Sequence, residues 1–385
     1  IGFGTVNWSI WFIRRTRSVI YRPFQWRYRA STSVIIPVYK EKHEVLQATV
    51  DSILRNEPDE VILVLDHTES DTMAFLQGCY GDAVQCHFVY VPGKRPALSK
   101  GVKLAQGRIV VLVDSDTQWV GDDFLVKLIA PFRDPMIGGV GSRQRVAEIA
   151  GWGQRIIDWN LDIKYSDYVP SDSLSGSVLC LSGLTAAYRR RLVAPVLHRL
   201  TNEYFLWHHC LGGDDARLTS LVLAQGYKTV YQGNTLAETV FERSFLRYLK
   251  QKVRWSRNSF RTYLKALFSP WPWKQHRLYY IMAVYHTLVP GLTLFFSMGF
   301  LVLAVFLEAY PLLYLWILWA FLSRLIKSSS HIRSRPTDLL LLPVVVVYYY
   351  VLSFIKLYAL ITMTKESWSG SRKSYRVVNG VRVGG

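Results

Sequence analysis

The sequence predicts an α/β domain with an open sheet that leads into a set of membrane-associated helices. Three observations predict it. Short apolar runs alternate with segments of helical spacing between residues 31 and 116. Charged residues gather where those runs end, and in open α/β sheets ligands bind beyond the carboxyl ends of the strands. The last third of the chain is dominated by long apolar stretches, yet the 385 residues carry a formal charge of +18.

Residues 1–30 open with a 13-residue apolar stretch to Ile13, followed by Arg14, Arg15 and Arg17. A spanning helix needs about 20 apolar residues, so this stretch reads as the end of a longer membrane segment. Arg22, Trp26, Arg27, Tyr28 and Arg29 then mix rings with positive charge, as interfacial segments do.

Residues 31–240 form the predicted α/β domain. SVIIPVYKE reads as a buried strand followed by a helix over 45–54. DEVILVLD is a second strand closing on Asp66, CHFVYVP a third, and RIVVLVDSD a fourth, whose apolar run stops where Asp114 and Asp116 begin. Tyr39, Asp66, Lys94, Arg95, Asp114 and Asp116 are thereby expected in one cleft. Alternation along a strand predicts that Asp114 and Asp116 face that cleft while Ser115 turns away. Paired carboxylates suit a hard divalent cation that completes its shell with diphosphate oxygens and water. GWGQRIIDWNLDIKYSDYV has helical, aromatic character. VLCLSGLTAAYRR places Cys180, Ser182 and Gly183 at a turn that could be purely structural or could bind. In GGDDARLTSLVLAQGYKTVY, Asp214 and Asp215 follow two glycines and open a helix that stops at Gly226 before a short strand. Such a pair is commonly only a helix cap. Beside the upstream acids it becomes a candidate proton acceptor, held ionised by the helix dipole.

Residues 241–277 hold an amphipathic helical region over 242–268, rich in Arg and Lys beside Phe245, Leu246, Leu249, Val253 and Trp255, which is expected to lie in the headgroup layer. Residues 278–363 contain apolar runs at 278–307, 310–326 and 338–363. The loop after the second is basic, which predicts an out-and-back pair with that loop in the cytoplasm. Pro343, the tyrosines 348–350, Lys356 and Tyr358 predict that the third run is broken or lies on the surface. Residues 364–385 form a polar tail.

Half of the residues are hydrophobic and 14% aromatic. Together with the basic charge, this fits a protein held against an anionic membrane face; nucleic acid would leave the apolar runs without a role. Cys79, Cys86, Cys180 and Cys210 show neither zinc-site nor disulfide-framework spacing. A phosphate-cradling GxxxxGK[ST] is absent from the sequence, which argues against an ATPase.

In order and spacing, VIIPVYKE, GKRPAL, VDSDT, CLSGLTAAYR, GGDDARLT, QKVRW, LIKSS and WSGSRK resemble the processive family 2 membrane glycosyltransferases, the hyaluronan synthases above all, over residues 31–379. The resemblance implies a GT-A catalytic domain with a mixed, mainly parallel sheet, fused to interfacial and transmembrane helices. It implies UDP-sugar donors, Mg2+ or Mn2+, a growing polysaccharide as acceptor, contact with membrane lipids, and a plasma-membrane location with the catalytic domain in the cytoplasm. Carried over by position, Tyr39, Glu41 and Asp66 would hold the uridine, Lys94 and Arg95 the diphosphate, Asp114 the nucleotide, and Asp116 with Asp114 the metal. Asp215, beside Asp214, would be the general base. Gln251, Arg254 and Trp255 would line the acceptor and pyrophosphate region, and Cys180, Ser182 and Gly183 the acceptor entrance. Trp368, Arg372 and Lys373 would belong to a gating loop. The chain departs from the hyaluronan synthase pattern in placing Ala216 between GDD and Arg217, and in lacking a proline after Ser182 and Gly183. A non-processive transferase acting on a lipid carrier and a nucleotide-binding receptor are the rival readings.

Overall fold

The computed structural model describes residues 2–365 and the short strands Arg376–Val378 and Val381–Val383. Eight strands form one mixed sheet: β1 (Thr32–Val38), β2 (Glu60–Asp66), β3 (Gln85–Val89), β4 (Ile109–Val113), β5 (Thr117–Val120), β6 (Ile137–Val146), β7 (Thr185–Arg189) and β8 (Lys228–Thr239). Their order is β3-β2-β1-β4-β7-β6-β8-β5. The first four pair in parallel; β1, β2 and β4 are near-continuous Val, Ile and Leu runs buried on both faces, and β3, QCHFV, is the partly exposed edge.

One face of the sheet packs on α2 (His43–Leu54) through Leu46, Val50 and Ile53. The other packs on α4 (Lys94–Leu104), which follows α3 (Ser70–Tyr80), and on α6 (Asp214–Leu223). Gly101 sets the approach of α4, because a Cβ there would lie 2.3 Å from Ile35 Cγ2.

Two strands escape the apolar pattern. β7 lies centrally, antiparallel to both β4 and β6, within the stretch expected to be only a turn. β6, IGGVGSRQRV, carries glycine and polar residues that pair through backbone while offering little apolar signal. The third strand also ends sooner than its apolar run, leaving Tyr90 and Val91 exposed.

The N-terminal helix, α1 (Gly2–Ile20), continues unbroken through the arginines. They pair within the protein: Arg14 with Asp172 at 2.8 Å, Arg15 with Asp167 at 2.6 Å, and Arg17 donates to Ser171 O and Ser175 Oγ. The two acids are buried, and a buried carboxylate needs a cation.

After α5 (Trp152–Ile163) and α6 comes the amphipathic α7 (Phe245–Leu267), then α8 (Arg277–Phe306), α9 (Tyr310–Lys327) and α10 (Leu342–Ile361). The ranges Arg277–Phe306 and Pro336–Ile361 are long and apolar enough to cross a membrane. α9 is shorter and ends on Arg324 and Lys327. α10 is not broken: Pro343 sits in its first turn, where a missing N–H costs no hydrogen bond.

The link between α9 and α10 is clamped to the α/β domain. His331 is fully buried, its Nδ1 lying 3.1 Å from Asp162 and its Nε2 3.0 Å from Asp338, and its ring stacks on Trp159. Arg155 pairs with Asp338 and Arg335 with Asp158. His331→Ala leaves two carboxylates without this partner and is expected to cost about 3–5 kcal/mol. Hydrogen exchange read by mass spectrometry should show faster exchange in both 152–163 and 328–341; a change confined to the link would break the coupling.

Candidate active site

A single cavity of about 1420 Å³ opens at the carboxyl ends of the parallel strands and continues between α7 and the apolar helices as far as Lys356. Tyr39, Glu41, Asp66, Lys94, Asp114, Asp116, Cys180, Ser182, Gly183, Asp214, Asp215, Gln251, Arg254 and Trp255 all line it. The structure thus brings together residues that the sequence scatters over more than half the chain. Trp368, Arg372 and Lys373 lie outside the described residues.

Strand alternation is not what turns the two acids inward. β4 ends at Val113, and Asp114, Ser115 and Asp116 form the turn into β5, closed by Thr117 N–H donating to Asp114 O at 3.1 Å. Ser115 also lines the cavity, and its Oγ donates to Glu41 Oε2 at 3.0 Å, tying the turn to the loop after β1. Asp66 closes β2, where its Oδ1 accepts from Thr68 N and Oγ.

Lys94 stands at the centre. Its Nζ lies 2.5 Å from Asp114 Oδ1 and 3.1 Å from Asp214 Oδ2. Burial alone would push its pKa down, but the neighbouring carboxylates outweigh burial and hold the ammonium well above its usual range. Burial likewise acts to raise Asp214, yet Lys94 and Arg95 keep it below the ordinary carboxylate value; Asp114 is raised, by burial first. Gly183 leaves room for this lysine, since a Cβ would lie 2.9 Å from Nζ.

Asp214 and Asp215 therefore divide. Asp214 is buried and held by Lys94, while Asp215 opens onto the cavity and accepts from Ala216 N at 2.8 Å. Gly213 starts their helix with φ +79°, and a Cβ there would strike Asn258 of α7 at 2.8 Å, so glycine lets the acid pair sit directly under α7. Cys180 faces Asp215, and burial, with that carboxylate, pushes its thiol far up, so it serves as a neutral wall.

Arg95, expected at the diphosphate, is not among the residues that line the cavity. Its guanidinium donates to Leu200 O and Gly212 O and pairs with Glu203 at 2.8 Å, locking α4 to the segment before GDD. Glu203 also meets Arg217 and Lys265, which accounts for the arginine displaced by Ala216.

On α7, Trp255 meets Tyr248 edge-on at 6.4 Å, and Lys252 Nζ lies over both rings. Gln251 Oε1 is buried and, among the described residues, accepts no hydrogen bond. That leaves an acceptor for a ligand hydroxyl. Lys164, Lys252, His286 and Lys356 also line the cavity, and sequence reading missed them as a group. The available signal was Lys356, the single charge in α10.

Asp114 and Asp116 supply two hard carboxylates, and among the described residues there is no cluster of three or more His, Cys, Asp or Glu that could hold a metal. This set suits a divalent cation that takes its remaining ligands from a diphosphate and water.

The comparisons accord with this geometry. A family model described as "Glycosyltransferase like family 2" matches residues 29–258, and the chain belongs to that family. A type 2 glycosyltransferase of Gibberella zeae is 26% identical over 94% of this chain and 74% of its own length. An N-acetylglucosaminyltransferase of Azorhizobium caulinodans is 30% identical over 61% of each chain, so the match spans less than two thirds of that relative. Among solved structures, a mannosyltransferase of Pyrobaculum calidifontis, in complex with GDP-Man and Mn2+, superposes with a TM-score of 0.68 at 18% identity, over 94% of this chain and 97% of that one. At that identity the likeness is one of fold, and the fold is GT-A.

Because Arg95 is structural, Arg95→Met is expected to destabilise the protein by about 3–5 kcal/mol. Thermal unfolding of detergent-purified protein should show the loss, while UDP affinity measured below the transition stays near wild type. A large loss of UDP affinity at unchanged stability would return Arg95 to the nucleotide site.

Proposed function

We propose that the protein transfers sugar from a UDP-sugar to the hydroxyl of a growing saccharide, with inversion, and passes the product between its apolar helices. One observation carries this reading: the DSD turn, Asp215 and the Gln251, Arg254 and Trp255 cluster share a cavity that continues to Lys356 in α10. A catalytic cleft that runs on between apolar helices is what a polymerising, secreting transferase needs.

In this reading Tyr39, Glu41 and Asp66 hold the uridine. Asp116 and Asp114 would hold Mg2+ or Mn2+, which supplies positive charge against the leaving diphosphate. Asp215 takes the proton of the acceptor hydroxyl. That oxygen bonds to the anomeric carbon as the carbon–phosphate-oxygen bond breaks, and UDP departs with the electron pair, stabilised by Lys94 and Arg254. Attack opposite the leaving group converts an α-linked donor into a β-linkage. Trp255 and Tyr248 offer faces on which sugar rings stack. The apolar helices would hold the catalytic domain at the cytoplasmic side of the plasma membrane.

The favoured product is hyaluronan-like, made processively from UDP-GlcNAc and UDP-GlcA. A polymer of N-acetylglucosamine alone is the second reading, favoured by the names of the rhizobial relatives. UDP release with each donor singly and in pairs decides: the first reading expects sustained release and a long product only with both donors, the second with UDP-GlcNAc alone.

Asp215→Asn should lower turnover by about 10²–10⁴-fold, the usual worth of a positioned proton acceptor. UDP binding should stay within a factor of a few, and full turnover by the purified variant would reject the assignment.

A further inference from the structure

Beyond Asp215 the cavity is lined by three lysines from three elements: Lys164 after α5, Lys252 on α7 and Lys356 on α10. Lys356 is the one charged residue of an otherwise apolar helix, and it faces the cavity. An ionisable side chain in such a helix is costly and marks a ligand path more often than a packing accident.

The acids nearby are already committed. Asp172 is held by Arg14 and Asp214 by Lys94. Against burial, Tyr165 first, then Cys180 and Asp215, hold the Lys164 ammonium above its usual range. Around Lys252 only burial, Lys164 and Lys356 act, all in one direction, and they push its pKa down to about 7. Lys252, enclosed beside two further lysines with no carboxylate among the groups that shift it, would be relieved by a bound anion. The rings of Trp255 and Tyr248 lie directly against Lys252, so the anion would sit beside a stacked sugar.

We propose that Lys164, Lys252 and Lys356 form an anion subsite for the acceptor, so that the molecule being extended carries a carboxylate or phosphate next to its reacting end. This rests on the glycosyl-transfer reading and adds to it a requirement on the acceptor: a neutral saccharide brings no counter-charge to the lysines around Lys252. The anion can belong to a uronic acid of the saccharide or to the phosphate of a lipid carrier.

Binding to the full chain in nanodiscs, with UDP present, tests it by isothermal titration. The probes are a glucuronate-containing tetrasaccharide, the same compound with its carboxylates methyl-esterified, and polyprenyl phosphate introduced into the nanodisc. The expected result is at least tenfold tighter binding of one anionic probe than of the neutral ester. That preference should be lost in Lys252→Met and Lys356→Met and restored in Lys356→Arg, with UDP affinity reporting that each variant is folded. Preference for the tetrasaccharide assigns the anion to the sugar chain, and preference for polyprenyl phosphate assigns it to a lipid carrier. Equal affinity for ester and anion, or a preference that survives both methionine variants, overturns the subsite. Because no turnover is read, this outcome is independent of whether UDP-sugars are consumed: absence of UDP release with every donor sinks the transferase reading alone.

Discussion

The ion pair of Lys94 with Asp114 and Asp214 is the constraint on which the site depends. It joins the turn after β4 to the start of α6, two elements 100 residues apart in sequence, through one ammonium. Asp214 is buried and the other two are partly so, a grouping made tolerable by mutual compensation of charge. Lys94 pairs with Asp214, and the adjacent Asp215 lines the cavity outside that pair. A second cation, Arg95, one residue along the same helix, fixes the strand-distal side of this arrangement through Glu203. The arrangement is therefore held by ionic contacts that engage Asp114 and Asp214, while Asp215 stays open to the cavity.

The second organising feature is the join between catalytic domain and apolar helices. α7 lies over the cavity with Trp255 and Gln251 on its inner side, and α10 packs along it. The His331 clamp ties the link before α10 to α5. The cleft beyond the strands and the space between α7 and α10 thus share walls, so a shift of α10 would be felt in the cavity that Asp215 lines.

Much of this was legible in the sequence where one physical signal dominated. Strands buried on both faces announce themselves as unbroken Val, Ile and Leu, and β1, β2 and β4 lie within a few residues of expectation. α7 is legible by its two-sided character. β6 and β7 were not, because a central strand built from Gly139, Ser142 and Ala186 pairs by backbone and shows no apolar alternation. Lys94 and Arg95 could not be separated on paper: adjacent residues on a helix diverge by about 100°, and Arg95 is drawn away from the cavity by Glu203, more than a hundred positions on. The lysine group stayed hidden for the same reason, since Lys164, Lys252 and Lys356 become neighbours only when three elements fold together.

The N-terminal helix carries a practical lesson for handling the molecule. Arg14 is part of the cavity wall and the counter-charge of Asp172, so α1 works as a stave of the vessel. A trimmed fragment starting near Ser31, the natural choice for a water-soluble preparation, would breach the chamber and strand Asp172. Reconstitution work should therefore keep the leading helix, even when the question concerns only nucleotide chemistry.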